Sequence, residues 1–214
     1  MADAEFSVSF AGPLVTFQDA GRPGNMRYGV SASGPMDRLA FDAAHAALGN
    51  TVGQTAVEIS LVGLMLHCKE GAVTLAITGG DFVVEYAGHK TSSWTILTIR
   101  KGDRLAIRAG KAGSWAYLAF AGALQSKTWL DSQSTHSTSG FGGGALQAGQ
   151  SLMVCEAVIR DDRLGEIPKP DFTHKEPPEL SSAPKINVLP KMFWNDLFLT
   201  NFGSRMLTTG WACG

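Results

Sequence analysis

The chain has 214 residues, 44% of them hydrophobic and 17% charged, with a formal net charge of −1. That length can bury a proper core in one large or two small domains, and the near-neutral balance argues against a nucleic-acid or anionic-membrane partner, both of which need a basic surface. The three cysteines, Cys68, Cys155 and Cys213, are odd in number and far apart, which fits free thiols in a reducing cytoplasm rather than a disulfide framework.

Residues 1–5 carry neither the basic region nor the apolar run of a signal peptide. No stretch approaches the ~18 uninterrupted apolar residues of a membrane span. Residues 6–10 (FSVSF) alternate apolar and polar, and Leu14-Val15-Thr16-Phe17 is β-branched and aromatic, so both read as strands joined by a Gly12-Pro13 turn. Two dense loops follow, Asp19-Ala20-Gly21-Arg22-Pro23-Gly24 and Ser33-Gly34-Pro35-Met36-Asp37. They lead into the one convincing helix. Ser33 suits its N-cap, Pro35 its first turn, and Asp37 adds negative charge where the helix dipole favours it. Met36, Leu39/Ala40, Ala43/Ala44 and Ala47/Leu48 recur at helical spacing, and Gly49 is a C-terminal stop.

From Ala56 the hydrophobic period changes to two. Residues 57–61, 64–68, 72–78, 82–86, 96–99, 104–108, 115–120 and 152–155 read as strands, with Gly63 and Gly71 as breaks. Lys101-Gly102-Asp103 has hairpin chemistry. Roughly ten short strands and one principal α-helix point to a mainly β fold, an antiparallel barrel closed or nearly so. Residues 132–149 are rich in Ser, Thr and Gly and read as a long loop. Five of the nine prolines (Pro168, Pro170, Pro177, Pro178, Pro184) then mark an extended linker. The expected organisation is a barrel domain over residues 1–165, a linker over 166–185, and a short tail over 186–214 that packs on the first domain, pairs with another chain or is disordered.

Several chemistries find no support. There is no P-loop and no G-x-S-x-G elbow. The five histidines show no paired ligand spacing, and His67 and Cys68, neighbours in a strand, face opposite ways, so no metal site is expected. The glycine run Gly140-Phe141-Gly142-Gly143-Gly144 fits either a plain mobile loop or one that closes on an anion or ligand. What remains are charged groups on glycine turns. Asp19 and Arg22 read as an ion pair or as ligand contacts, Asp37 as a cap or a functional carboxylate, and Asp81 as a turn former or a functional one.

These residues sit in a recognisable order. The motifs Thr16-x-Gln18-Asp19-x-Gly21-Arg22-Pro23-Gly24, Gly29-Val30, Ser33-Gly34-x-Met36-Asp37, Leu48-Gly49-Asn50, Ala56-Val57-Glu58-Ile59, Thr78-Gly79-Gly80-Asp81, Ala116-Tyr117-Leu118-Ala119, Ser134-Thr135 and Gly140-Phe141-Gly142-Gly143 closely resemble the biotin-dependent carboxyltransferase / allophanate hydrolase subunit 2 family. That family includes the C subunit of ATP-dependent 5-oxoprolinase and part of the carboxyltransferase region of urea carboxylase. The likeness covers roughly residues 6–157, and since full-length members carry two related halves it implies that residues 186–214 are a remnant of a second, truncated barrel half.

The resemblance implies a cyclophilin-like closed β-barrel and a site for a small amide, opened as 5-oxoproline or carboxylated as urea. It implies homologous partner subunits, with ATP or carboxybiotin supplied through them and no cofactor held by this chain alone. Self-association is a further expectation. Gln18, Asp19, Arg22, Ser33, Glu58, Ser134 and Thr135 are then the substrate-binding candidates, with Arg22 offering a bidentate fork. Asp37 and Asp81 would hold an amide N–H or take part in proton transfer. Where the family commonly reads G-S-R-S-T, Asp131 stands for the glycine and Gln133 for the arginine, removing a fixed positive charge. A second reading is a non-catalytic module that binds a kinase-inhibitor-type subunit.

Overall fold

The alternation that predicts strands is realised as two antiparallel sheets with one helix on the outer face of the smaller. The computed structural model describes residues 2–169. In chain order these form β1 (Ala2–Ala11), β2 (Thr16–Gln18), α1 (Arg38–Leu48), β3 (Ala56–Ser60), β4 (Leu64–Glu70), β5 (Ala72–Gly79), β6 (Val83–Tyr86), β7 (His89–Ser92), β8 (Thr95–Arg100), β9 (Arg104–Arg108), β10 (Trp115–Phe120), β11 (Ala123–Leu124), β12 (Ser151–Ala157) and β13 (Gly165–Glu166). One sheet has the order β11-β12-β1-β4-β9-β6-β7, the other β13-β8-β5-β10-β3-β2. The mainly β reading, with a single α-helix among the described residues, therefore holds. No closed barrel is found among the described residues, where the strands divide between two sheets. The remnant expected at 186–214 and residues 170–185 of the linker lie outside the described residues; of the four linker residues described, Glu166 is in β13, paired with Thr95.

Between the sheets lies the core. Phe6 and Val8 of β1, Leu64 and Leu66 of β4 and Leu152 and Val154 of β12 are buried from one side. Leu75 and Ile77 of β5 and Leu118 and Phe120 of β10 meet them from the other, with the Phe6 and Phe120 rings 5.4 Å apart. β5 is buried along almost its whole length because helix α1 covers its other face. Ala40 and Ala44 permit that approach, and the Thr78 hydroxyl donates to the Ala40 carbonyl at 2.7 Å.

Four local expectations change. The N-cap is Asp37, not Ser33: its carboxylate accepts from the Ala40 N–H at 3.1 Å, so Pro35 precedes the helix instead of sitting in its first turn. The buried helical face is Ala40, Phe41, Ala44, His45 and Leu48, whereas Met36 and Leu39 are exposed. The start moved, and the apolar stripe rotated with it.

The turn at Lys101-Gly102-Asp103 forms, with Asp103 N–H donating to Arg100 C=O at 2.9 Å, but it does not make a hairpin. β8 pairs with β5 and β9 pairs with β4 and β6, so this turn crosses from one sheet to the other. The β4–β5 break at Gly71 does the same, and Lys101 N–H donates to Gly71 C=O across the two stacked corners at 2.9 Å. Finally, the strand expected at residues 14–17 is shifted to Thr16–Gln18, since Leu14 takes a left-handed turn conformation at φ 59°.

The segment 132–149 is a loop without extended regular structure, yet it is packed. Ser132, Ser134, Thr135 and Leu146 are buried. It covers the outer edge of β2, with Thr135 N–H donating to Phe17 C=O at 2.9 Å and Phe17 N–H donating to Gly144 C=O at 3.4 Å.

Candidate functional site

Sheet register builds a polar row on the helix-bearing face. Thr16 of β2 is paired with Glu58 of β3, Glu58 with Tyr117 of β10, and Tyr117 with Thr78 of β5. Partners opposite one another in a ladder share a face, so four polar residues cross the sheet under the start of α1. Glu58 is only 3% exposed. Its Oε2 accepts from the Met36 N–H at 2.7 Å and from the Tyr117 hydroxyl at 2.8 Å. The Tyr117 oxygen in turn accepts from the Asp37 N–H at 2.6 Å. The entrance to the helix is thus tied to the sheet through one carboxylate and one phenol.

Both protein hydrogen bonds of Glu58 go to Oε2, leaving Oε1 to a cleft of about 330 Å³. Thr16, Gln18 and Thr135 line it together with Ser33 and His136, and Leu14, Met36 and Trp115 give it an apolar side. Burial pushes the Glu58 carboxyl above its ordinary range, against the two hydrogen bonds that favour the charged form. Burial and the nearby Glu58 charge push the Tyr117 phenol up as well, so it remains a proton donor. Gln18 donates from Nε2 to the Thr16 hydroxyl at 3.0 Å, while its Oε1 is buried without a partner. An unpaired buried acceptor is destabilising unless something else completes it.

A second polar cluster lies nearby and is closed. The Asp19 carboxylate accepts from the Gly21 and Gln133 N–H groups at 2.8 and 2.6 Å. It also accepts from the Ser132 and Ser134 hydroxyls at 2.7 and 2.6 Å. Burial raises its pKa, but these four bonds outweigh burial and hold it below the ordinary value. Arg22 is 2% exposed. It donates from Nε to Trp129 C=O at 3.2 Å, from Nη1 to the Ser33 hydroxyl at 2.8 Å, and from Nη2 to Ser134 C=O. Its guanidinium carbon lies 4.9 Å from the Trp129 ring centre. Gly142 packs so closely that a Cβ there would lie 2.2 Å from Ser134 O and 3.1 Å from Arg22 Nη2. Arg22 ties three loop segments together, with no ion pair to Asp19 within 4 Å.

Of the predicted site residues, Gln18, Ser33, Glu58 and Thr135 share the cleft lining. Asp19, Arg22 and Ser134 form the closed cluster behind it, touching it through Ser33. Asp37 caps α1 and presents its N–H, not its carboxylate, to the Tyr117–Glu58 pair. Asp81 is not part of the lining; it lies 3.7 Å from Lys169, with both side chains about half exposed. Tyr117, Trp115 and His136 are the lining or supporting groups that motif reading passed over. Tyr117 had a signal: a phenol inside a strand otherwise apolar at every buried position needs a partner. Among the described residues no group of His, Cys, Asp or Glu is placed to hold a metal ion, and no helix is long and apolar enough to cross a membrane.

Comparison with known proteins fixes the lineage. The carboxyltransferase domain, subdomains A and B, matches residues 28–213. The chain belongs to this carboxyltransferase family. The match extends past residue 157, where the motif likeness ends, and starts after Gln18, Asp19 and Arg22. Urea amidolyase of Lachancea kluyveri is 32% identical over 193 residues, covering 87% of this chain and 10% of that protein. The C subunit of 5-oxoprolinase from Haemophilus influenzae is 30% identical over 158 residues, covering 72% of this chain and 51% of the relative. Among solved structures, the K. lactis urea amidolyase superposes with a TM-score of 0.67 at 29% identity, covering 78% of this chain and 10% of that one. TTHA0988 superposes with a TM-score of 0.70 at 25% identity, covering 78% and 62%. The chain therefore spans about half of one curated relative and a tenth of another.

Proposed function

We propose that this chain is part of a biotin- or ATP-dependent assembly acting on small amides, by carboxyl transfer to a urea-type nitrogen or by opening a cyclic amide such as 5-oxoproline. The observation that carries the reading is Glu58. It is a buried carboxyl of raised pKa, fixed on one oxygen by Tyr117 and Met36 and open to a small cleft on the other. A carboxyl tuned upward toward the working pH is suited to exchange a proton with an amide nitrogen or oxygen. In this reading Oε1 takes or returns that proton, while Gln18 and Ser33 orient the amide and Leu14, Met36 and Trp115 form the apolar side of the cleft. Asp19, Arg22 and Ser134 position the loops.

The cleft lining holds no lysine or arginine to hold a polyphosphate, which supports a reading in which ATP is supplied through partner subunits; carboxybiotin is proposed to be supplied in the same way. The Haemophilus relative is one subunit of a 5-oxoprolinase, which supports a multi-component setting, and the proposed compartment is the cytoplasm. The reading also makes the two sheets walls of a cyclophilin-like barrel, supported by the two corners at which strands pass from one sheet to the other. Residues 1–165 are then the barrel domain, 166–185 a linker, and 186–214 part of a second, related half.

The test is co-expression of the full chain with the products of neighbouring genes, purification by a tag on this chain, and parallel assays. ATP-dependent 5-oxoproline opening and biotin-dependent urea carboxylation are measured side by side. One activity is expected in the purified assembly, falling at least roughly 100-fold in Glu58→Gln. Absence of both activities and of any co-purifying protein overturns the reading.

A further inference from the structure

The glycine run Gly140-Phe141-Gly142-Gly143-Gly144, which the amide site leaves unused, builds a hollow of its own. Residues 136–138 of the same loop line the Glu58 cleft. The glycines and Ala145 instead wall an open hollow of about 410 Å³ with Lys127, Gln147 and Gln150, and the two linings share no residue. The wall is held from behind. Gly143 N–H donates to Gln133 C=O at 2.9 Å, and Leu146 N–H to Val15 C=O at 2.8 Å. A Cβ on Gly142 would lie 2.2 Å from Ser134 O, and one on Gly143 2.5 Å from Phe17 Cβ. Gly140 and Gly144 are different: nothing lies within 4 Å of where their Cβ would stand. At φ 72° and 82° both take the left-handed conformation that favours glycine, and they leave bare main chain beside open space.

Register fixes where one donor points. Thr16 and Ala145 form an antiparallel bridge whose hydrogen bonds are made by their neighbours, Leu146 to Val15 and Phe17 to Gly144. In such a pair the N–H and C=O of the two facing residues turn away from each other's strand, so the Ala145 N–H points outward from β2. It has no acceptor among the described residues, and neither do the N–H groups of Gly142 and Gly144. The charge is one-sided too. The lining contains Lys127 and no Asp or Glu, and Lys127 has no ion-pair partner among the described residues. Gln150 turns its Oε1 to the Gln147 N–H at 3.2 Å, which leaves its Nε2 as a further donor.

We propose that this hollow is an oxyanion site that takes the phosphate or carboxylate group of a small molecule. Lys127 supplies the charge, and the unpaired N–H groups of the glycine run, the Ala145 N–H above all, supply direction. Successive main-chain N–H groups on a glycine turn form an anion-binding concavity, and an ionised acceptor strengthens each bond to them. An ammonium on a flexible stem meets either oxyanion as a point charge. The site is independent of the amide reading, which depends on Glu58.

The test is an NMR titration of the full, nitrogen-labelled chain at constant ionic strength, with inorganic phosphate in one arm, acetate in a second and chloride as the control. Saturable shifts of the Gly144 and Ala145 N–H resonances are expected, while the Met36 N–H, held by Glu58 beside the other cleft, stays in place. A response to phosphate alone assigns the site to phosphoryl groups, to acetate alone to carboxylates, and to both to either. Lys127→Ala should weaken binding at least roughly ten-fold and leave the thermal melt unchanged, because Lys127 is exposed; Lys127→Arg should keep the binding. Shifts no larger than those with chloride, shifts centred on Met36, or shifts undiminished in Lys127→Ala would each overturn the proposal and leave the amide-site reading standing.

Discussion

Two polar clusters, adjacent in sequence at Gln18 and Asp19 and joined through Ser33, end in opposite electrostatic states. Around Asp19 and Arg22 every strong group is answered from within the chain: the carboxylate by four donors, the guanidinium by three acceptors and an indole face. Around Glu58 and Gln18 one oxygen of each side chain is left over. Burial acts on both carboxyls in the same sense, yet Asp19 ends below its ordinary pKa and Glu58 above it. The number of donors decides the sign. A satisfied cluster stabilises loops, whereas an under-satisfied one keeps chemical potential for a ligand, and proximity in sequence does not distinguish them.

The largest blow to the closed cluster is Arg22→Ala. It strands the carbonyls of Trp129 and Ser134 and empties the face of Trp129, and is expected to destabilise by roughly 3–4 kcal/mol in urea unfolding. Arg22→Lys should restore only part, since an ammonium cannot span three directions in a plane. An equal stability for Arg22→Ala and the parent would show that the guanidinium is free for a ligand after all.

Reading either cluster by acid titration requires a background to be removed first. His45 lies on the buried face of α1, and burial lowers its pKa to about 4 from 6.5, against the opposing charge of Asp42. Unfolded chains take up that proton below 6.5 and native ones do not, so stability falls as pH drops from 6.5 toward 4, by about 3 kcal/mol. His45→Gln should flatten this window in pH-dependent denaturation; an unchanged slope would mean that the imidazole is protonated in the native state.

With that background gone, the two carboxyls should respond in opposite directions. Asp19 stabilises above its ordinary pKa of 3.8, and that contribution disappears as pH falls through its lower native value. Asp19→Asn, which sets an amide nitrogen against a backbone donor, is expected to lose about 2 kcal/mol at pH 7. Glu58 destabilises the native state at neutral pH, so stability from this group rises as pH falls toward its ordinary 4.5. Glu58→Gln should therefore be as stable as the parent at pH 8, or more stable by about 1 kcal/mol. A loss of stability of that size instead would place Glu58 with Asp19, as a structural group.

Local chemistry made much of this fold readable. Period-two runs located most strands, and the helix was legible from its spacing and from Gly49, whose φ of 67° suits glycine. The short strands β7, β11 and β13 were missed because two to four residues carry too little pattern. The helix start was misplaced because three candidate starting signals, Ser33, Pro35 and Asp37, lie within five residues. Asp131 illustrates a departure that becomes physical only in three dimensions. It follows Leu130 in the left-handed region, at φ 59° and 50°, a conformation in which the family's glycine is unstrained and Asp is tolerated better than most.

By itself, then, the sequence determined the class, the positions of most elements and the family, because hydrophobic period, turn residues and ordered motifs are properties of neighbours along the chain. It also assembled the candidate list from which both clusters are drawn. Only the tertiary structure decided that the Lys101-Gly102-Asp103 turn crosses between sheets, that Glu58 meets Tyr117, that Asp81 lies outside the cleft, and that Arg22 is already spent on Trp129, Ser33 and Ser134. Those outcomes depend on strand register and on which distant carbonyls and hydroxyls arrive beside a charge. Contacts separated by 59 residues between Glu58 and Tyr117, or by 112 between Arg22 and Ser134, leave no mark in any local window.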